Sequence, residues 1–138
     1  MKSFVYHIQI NVRDKNKSFP FYKELLGYLD YKVMFEDEKV LGIGSQNTDI
    51  WLVQTDTKFV ENKFHRKNIG LNHISFGVEN KENVDRFVQE FLKPKGIKFL
   101  YNSPKELPEY GKGYYAVYFE DPDRIKLEVT HKPEFKDR

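Results

Sequence analysis

This chain repeats itself. His7-Ile8-Gln9-Ile10-Asn11-Val12-Arg13-Asp14-Lys15 overlays His73-Ile74-Ser75-Phe76-Gly77-Val78-Glu79-Asn80-Lys81 at an offset of 66 residues. The same offset carries Phe21 onto Phe87, Glu24 onto Glu90, Leu25 onto Phe91 and Leu26 onto Leu92. A match that runs through a strand and on into the helix behind it points to one supersecondary unit built twice.

The unit can be read from periodicity. Residues 4 to 13 alternate, with Tyr6, Ile8, Ile10 and Val12 on one face and Val5, His7, Gln9 and Asn11 on the other. Residues 16 to 28 place Phe19, Tyr22, Leu25 and Leu26 at helical spacing, with Asp14 or Asn16 as the N-cap and Gly27 as the stop. Strands are expected at 31 to 36, 39 to 44 and 49 to 54, parted by turns at Asp37-Glu38 and Ser45-Gln46-Asn47. A polar stretch without sustained periodicity follows over 55 to 69. The pattern then restarts with a strand over 70 to 78 and a helix over 82 to 95, ending near Pro94 and Gly96. Strands over 97 to 101, 114 to 119 and 125 to 130 complete it. A Pro- and Gly-rich loop from Asn102 to Gly113 has no equally long counterpart in the first half, and such loops often cover sites. The expected fold is α+β: a single domain over 1 to 138 made of repeat 1 (4 to 54), a connector (55 to 69) and repeat 2 (70 to 131). Each repeat is a βαβββ module, and the two curved sheets are expected to form a cleft.

Composition narrows what such a domain does. Leu, Ile, Val and Phe make up 41 of 138 residues, well above the share of about 20% below which chains stay disordered. The 23 basic side chains are balanced by 21 acidic ones, which leaves no broad basic field for nucleic acid. No apolar stretch is long enough for a bilayer span and no signal-peptide core opens the chain, so a cytoplasmic protein without a membrane partner is expected. Cysteine is absent, which excludes disulfides, thiolate nucleophiles and Cys-type zinc sites. Any metal must use His and carboxylate.

Three such residues recur in one setting. His7 lies on the polar face of the first strand with Gln9 and Asn11, and His73 lies on the matching face of the restarted strand with Ser75 and Gly77. In the last strand Ile125, Leu127 and Val129 form the apolar face, leaving Lys126, Glu128 and Thr130 opposite. Two imidazoles and one carboxylate with open positions suit a divalent ion such as iron, manganese, nickel or zinc. Glu128 is expected to be ligand and catalytic base, with a water as the alternative base. His65, in the connector, and His131, past the last strand, lack this support and read as solvent-facing or locally bonded. Overlaying the closing strands puts Ile50-Trp51-Leu52 on Leu127-Glu128-Val129, so Trp51 stands where a symmetric carboxylate would be. Asp49 shares its face but is displaced by two residues. Trp51 is expected either to wall the cleft against a substrate or to serve as a core residue.

The sequence resembles the vicinal oxygen chelate superfamily, the glyoxalase I, extradiol dioxygenase, fosfomycin-resistance and bleomycin-resistance group, from about Phe4 to Thr130. The resemblance is carried by residues 7 to 12, by Phe21-Tyr22-Lys23-Glu24-Leu25-Leu26-Gly27-Tyr28, by Leu71-Asn72-His73-Ile74-Ser75-Phe76 and by residues 118 to 129. Arg124 stands where the family commonly has Gly after Asp-Pro-Asp. The resemblance implies that His7, His73 and Glu128 bind a divalent cation that chelates neighbouring substrate oxygens. It also implies substrate contacts at Trp51 and Tyr118, which match a Trp-Leu and a Tyr setting of fosfomycin-resistance members, and at Gln9, where those proteins often offer a hydroxyl. Trp51 in place of a first-half carboxylate departs from glyoxalase I. The expected function is therefore a metal-dependent lyase-, isomerase- or dioxygenase-like enzyme acting on a small molecule. The alternative is a metal-free bleomycin-type binding module or a fosfomycin-type resistance protein. The resemblance further implies a homodimer.

Overall fold

The computed structural model describes residue 1 and residues 3–133; residue 2 and residues 134–138, the ends of the expected 1 to 138 span, lie outside the described residues. The chain divides into two compact units, Met1–Lys63 and Phe64–Arg138, and the division falls inside the expected connector.

Unit 1 comprises β1 (His7–Val12), α1 (Lys15–Tyr28), β2 (Lys32–Glu36), β3 (Val40–Gly44) and β4 (Asp49–Gln54), followed by one 3-10 turn, Thr57–Phe59. Its sheet has the order β1-β4-β3-β2, with β1 and β4 parallel and the other pairs antiparallel. Unit 2 comprises β5 (His73–Gly77), α2 (Lys81–Phe87) continued by a π turn (Val88–Leu92), β6 (Leu100–Glu106), a 3-10 turn (Pro108–Tyr110), β7 (Tyr115–Glu120) and β8 (Lys126–His131). Its sheet order, β5-β8-β7-β6, is that of unit 1, with β5 and β8 parallel. The chain is thus two βαβββ modules of one topology. Among the described residues no helix is long and apolar enough to cross a membrane.

Each helix covers one face of its own sheet. In α1 the stripe Phe19, Tyr22, Leu25 and Leu26 is buried, as are Ile10, Val12, Leu41, Ile43, Ile50 and Leu52 on the strands. Burying side chains of this size stabilises the fold by roughly 1.5–3 kcal/mol each before chain entropy is counted. In unit 2 the buried set is Val84, Phe87, Val88, Phe91 and Leu92 with Ile74, Phe76, Val117, Phe119, Leu127 and Val129. Against the other face of the unit 2 sheet lies a second buried cluster, Leu107, Ala116 and Tyr118 with Leu100 and Tyr114 packed on it.

Two local expectations need correction. Gly27 does not end α1. The helix runs to Tyr28, and Asp30, at φ 67°, takes the left-handed position while Tyr31 N–H donates to Leu26 C=O and Asp30 N–H to Gly27 C=O. Gly96, at φ 64°, takes the same place in unit 2, with Ile97 N–H donating to Leu92 C=O and Gly96 N–H to Lys93 C=O. Both helices therefore stop in the same Schellman arrangement. At the N-terminus Asp14, rather than Asn16, is the cap, its carboxylate accepting from Asn16 N–H.

The second correction concerns the strand expected over 97 to 101 and the loop expected after it. The strand is Leu100–Glu106, so the first part of that loop belongs to the sheet. Its register on β7 slips between Leu100 and Lys105, with Tyr101 and Asn102 at φ 60° and 53°. A bulge of this kind breaks the period of two that sequence reading depends on, and an edge strand is where Pro104 is tolerated.

Candidate functional site

In unit 2 the face away from α2 is built from alternate residues of β5, β8 and β7. Register pairs Ser75 with Glu128 and His73 with Lys126 on one side of β8, and Tyr118 with Glu128 and Glu120 with Lys126 on the other. Glu128 is only 1% exposed, whereas the His73 side chain is 36% exposed. His73 Nε2 stands 3.3 Å from Glu128 Oε2. A buried carboxylate needs partners, and the Tyr114 hydroxyl supplies one by donating to Glu128 Oε1 at 2.6 Å. Burial, and then the hydrogen bond to Glu128, push the Tyr114 hydroxyl above its ordinary pKa. Tyr118 is shifted further in the same direction, first by burial and then by the charge of Glu128. Both phenols therefore stay protonated beside the carboxylate.

The His73 ring is held from behind. Asn72 Oδ1 lies 2.8 Å from His73 Nδ1, and a carbonyl oxygen only accepts, so Nδ1 carries the proton. In the neutral ring this leaves a lone pair on Nε2, aimed at a carboxylate oxygen that also has only lone pairs to offer. Two such acceptors attract when a proton on Nε2 or a cation joins them. Two donors bound at about 2.1 Å to one tetrahedral or octahedral ion stand about 3.0–3.4 Å apart, and the observed 3.3 Å lies in that range. The chemistry and spacing of the pair fit a divalent cation.

Unit 1 presents the corresponding face. His7, Gln9 and Asn11 project from β1, and register sets His7 beside Asp49, Gln9 beside Trp51 and Asn11 beside Val53. His7 is exposed, with the Tyr6 ring 5.8 Å away at its edge. Trp51 pairs with Gly42 on its other side. Its indole lies across Gly42 so closely that a Cβ there would come within 2.7 Å of Cζ3, which only a glycine permits. Phe35 flanks the indole, with centroids 6.1 Å apart. Trp51 is half-buried and on the face away from α1, so it is no part of the core. Because β1 meets β4 as β5 meets β8, Trp51 is the register equivalent of Glu128, and Asp49 of Lys126.

The structure thus brings together His73, Glu128 and Tyr118 in unit 2, and His7, Gln9 and Trp51 on one face in unit 1. Within each unit, among the described residues, no three His, Asp or Glu side chains cluster so as to hold an ion. His65 Nδ1 accepts from Lys67 N–H, the local bond expected of it, whereas His131 is the last residue of β8 rather than past it, and its Nδ1 lies 3.4 Å from Val78 C=O, a partner distant in sequence. Sequence reading missed Asn72 and Tyr114. The signal for Tyr114 was present in the alternation of Tyr114, Ala116 and Tyr118 onto the face of Glu128; Asn72 shows only as a polar neighbour of His73.

The comparisons with known proteins agree with this architecture. The model of the Glyoxalase/Bleomycin resistance protein/Dioxygenase superfamily matches residues 5–129. Uncharacterized protein YqjT of Bacillus subtilis is 34% identical over 126 residues, which is 91% of this chain and 97% of that protein. Metallothiol transferase FosB of Staphylococcus epidermidis is 29% identical over 134 residues, 97% of this chain and 84% of that protein. The crystal structure of a candidate glyoxalase from Bacillus halodurans superposes with a TM-score of 0.84 at 35% identity, covering 93% of this chain and 95% of that one. A duplicated βαβββ topology, a family match running from the first strand to the last, and relatives above 30% identity along nearly the whole chain have one meaning: the chain belongs to the Glyoxalase/Bleomycin resistance protein/Dioxygenase superfamily.

Proposed function

We propose that the chain is a small-molecule metalloenzyme in which His7, His73 and Glu128 hold one divalent cation, iron, manganese, nickel or zinc. The observation that carries this reading is the facing of His73 Nε2 and Glu128 Oε2 at 3.3 Å, each fixed from behind by a neutral polar side chain. A bound ion of this kind supplies Lewis acidity, polarising substrate oxygen and offsetting negative charge that develops on it. The chain's own residues do the rest. Asn72 keeps the Nδ1 proton in place so that His73 presents Nε2, and Tyr114 keeps the Glu128 carboxylate from rotating. Glu128 is also the group proposed to take the substrate proton, as base of a lyase- or isomerase-like reaction. Trp51 and Tyr118 offer ring surfaces to the substrate, and Gln9, beside Trp51, offers an amide. A cytoplasmic homodimer is the proposed working form, supported by Val33, Met34 and Phe35, which expose about half of their surface along β2.

A second reading is metal-dependent transfer of a thiol to a small molecule. It is favoured by the match to FosB, a metallothiol transferase, over 97% of this chain. The two readings share the metal and part at the co-substrate. Purified protein stripped with chelator and dialysed in turn against the four metals should take up about one ion per chain. Loaded protein that consumes a low-molecular-weight thiol together with a small electrophile favours the second reading. Protein that takes up none of the four metals yet still quenches Trp51 with a planar ligand is the metal-free binding module, and contradicts both.

A further inference from the structure

Beside the His73–Glu128 edge stands a cation with no ion-pair partner among the described residues. Lys126 is on the same face of β8 as Glu128, next in register to His73 on one side and Glu120 on the other. Glu120 is engaged elsewhere: Arg66 Nη1 meets its Oε1 at 2.5 Å, and Arg124 Nε lies 3.7 Å from its Oε2. Among the described residues no carboxylate lies within ion-pair distance of Lys126. Its ammonium is instead suspended over two rings, 5.5 Å from the centroid of Tyr101 and 5.7 Å from that of Tyr118. Aromatic faces hold a cation without accepting its hydrogen bonds, so the three donors of Lys126 remain available on a half-buried site.

The platform is built at a cost. Tyr101 and Asn102 both occupy the left-handed region, at φ 60° and 53°. Asn tolerates that region but a tyrosine there is strained, and such strain gathers at ligand-binding positions. What the bulge achieves is visible in the ring contacts: it sets Tyr101 edge-on to Tyr118 at 5.5 Å, and both rings under Lys126. Unit 1 has an aspartate, Asp49, at the equivalent register position, so the positive charge belongs to this half alone.

We infer that Lys126, on its platform of Tyr101 and Tyr118, binds an oxyanion group of the substrate, a carboxylate or a phosphoryl group, next to the His73–Glu128 edge. The inference rests on reading that edge as part of the metal centre, and gives the substrate a class: a small acid whose anionic end is held by Lys126 while neighbouring oxygens face the cation.

The test uses acetate and inorganic phosphate as probes. Each is titrated at low ionic strength into metal-free full-length protein, and acetate also into zinc-loaded protein, with the amides of Lys126, His73 and Tyr101 followed by NMR. Wild type should show one saturable site. Lys126→Met, which keeps the stem and loses the charge, should bind at least about tenfold more weakly, the effect of one charge-assisted hydrogen bond, while Lys126→Arg retains binding. Zinc content of Lys126→Met should equal or exceed that of wild type, because a neighbouring positive charge has gone. Tighter binding of acetate or of phosphate identifies which oxyanion the site prefers. Equal affinity in wild type and Lys126→Met, or no saturable site in wild type, overturns the inference. Wild type that takes up no zinc yet keeps a Lys126-dependent anion site overturns the metal reading alone.

Discussion

The Tyr114 hydroxyl donates a 2.6 Å hydrogen bond to Oε1 of Glu128, the oxygen that does not face His73. It therefore fixes the carboxylate with Oε2 turned toward His73. Groups in this position behind a metal ligand typically contribute 10- to 100-fold in affinity. Tyr114→Phe should accordingly bind zinc about tenfold more weakly than wild type in competition with a chromophoric chelator, with its circular dichroism unchanged. Equal affinity would show that Glu128 is held without Tyr114.

Asn72 acts on His73, the other proposed ligand. Its Oδ1 accepts from His73 Nδ1 at 2.8 Å and selects the tautomer that leaves Nε2 open. Asn72→Ala should mix the two tautomers, visible in imidazole nitrogen NMR of the metal-free protein, and should lower zinc affinity by about tenfold. A single unchanged tautomer in the variant would assign its choice to another group.

Gly42 and Trp51 give a prediction that needs no metal. A methyl group at Gly42 would come within 2.7 Å of the indole, so Gly42→Ala must push the ring from the sheet face. Trp51 is the single tryptophan of the chain, which makes its emission a clean report. A shifted emission maximum with a moderate stability loss of about 1–3 kcal/mol, typical of overpacking, is expected. Emission identical to wild type would mean that the indole does not rest on Gly42.

Tyr115 gives the alkaline behaviour its sign. Burial, then the 2.7 Å hydrogen bond to Asp85, raise its pKa from 10.0 to about 12. The folded state therefore keeps a proton that the unfolded chain releases first, so this contribution is intact below pH 10 and lost as pH rises through about 12. Denaturant titrations of Tyr115→Phe should show a smaller fall in stability over that window than wild type. A fall of equal size would mean that Tyr115 ionises alike in both states.

The sequence made the duplication legible because the 66-residue offset and the strand alternation record the same topology. Alternation along the strands likewise put His73 and Glu128 on one face, where register joins them through β5 and β8. Alternation fails where the backbone leaves the period of two: Tyr101 carries a φ its residue type rarely takes and Asn102 follows it there, so the bulge of β6 and the aromatic platform under Lys126 left no pattern. Gly27 misled for a related reason. A glycine is the usual stop, but Asp30 tolerates the left-handed position that Gly96 fills in the second unit.

The central claim is that Glu128, with its two histidines, binds a cation. Glu128→Gln keeps the shape of the side chain and removes its charge, so the direct measurement is metal content and zinc affinity of wild type against Glu128→Gln, beside His7→Ala and His73→Ala, with His65→Ala and His131→Ala as controls. The account predicts about one ion per chain in wild type and in both controls, with loss of the ion in the three site variants while circular dichroism stays unchanged. Metal content in Glu128→Gln equal to that of wild type would contradict it.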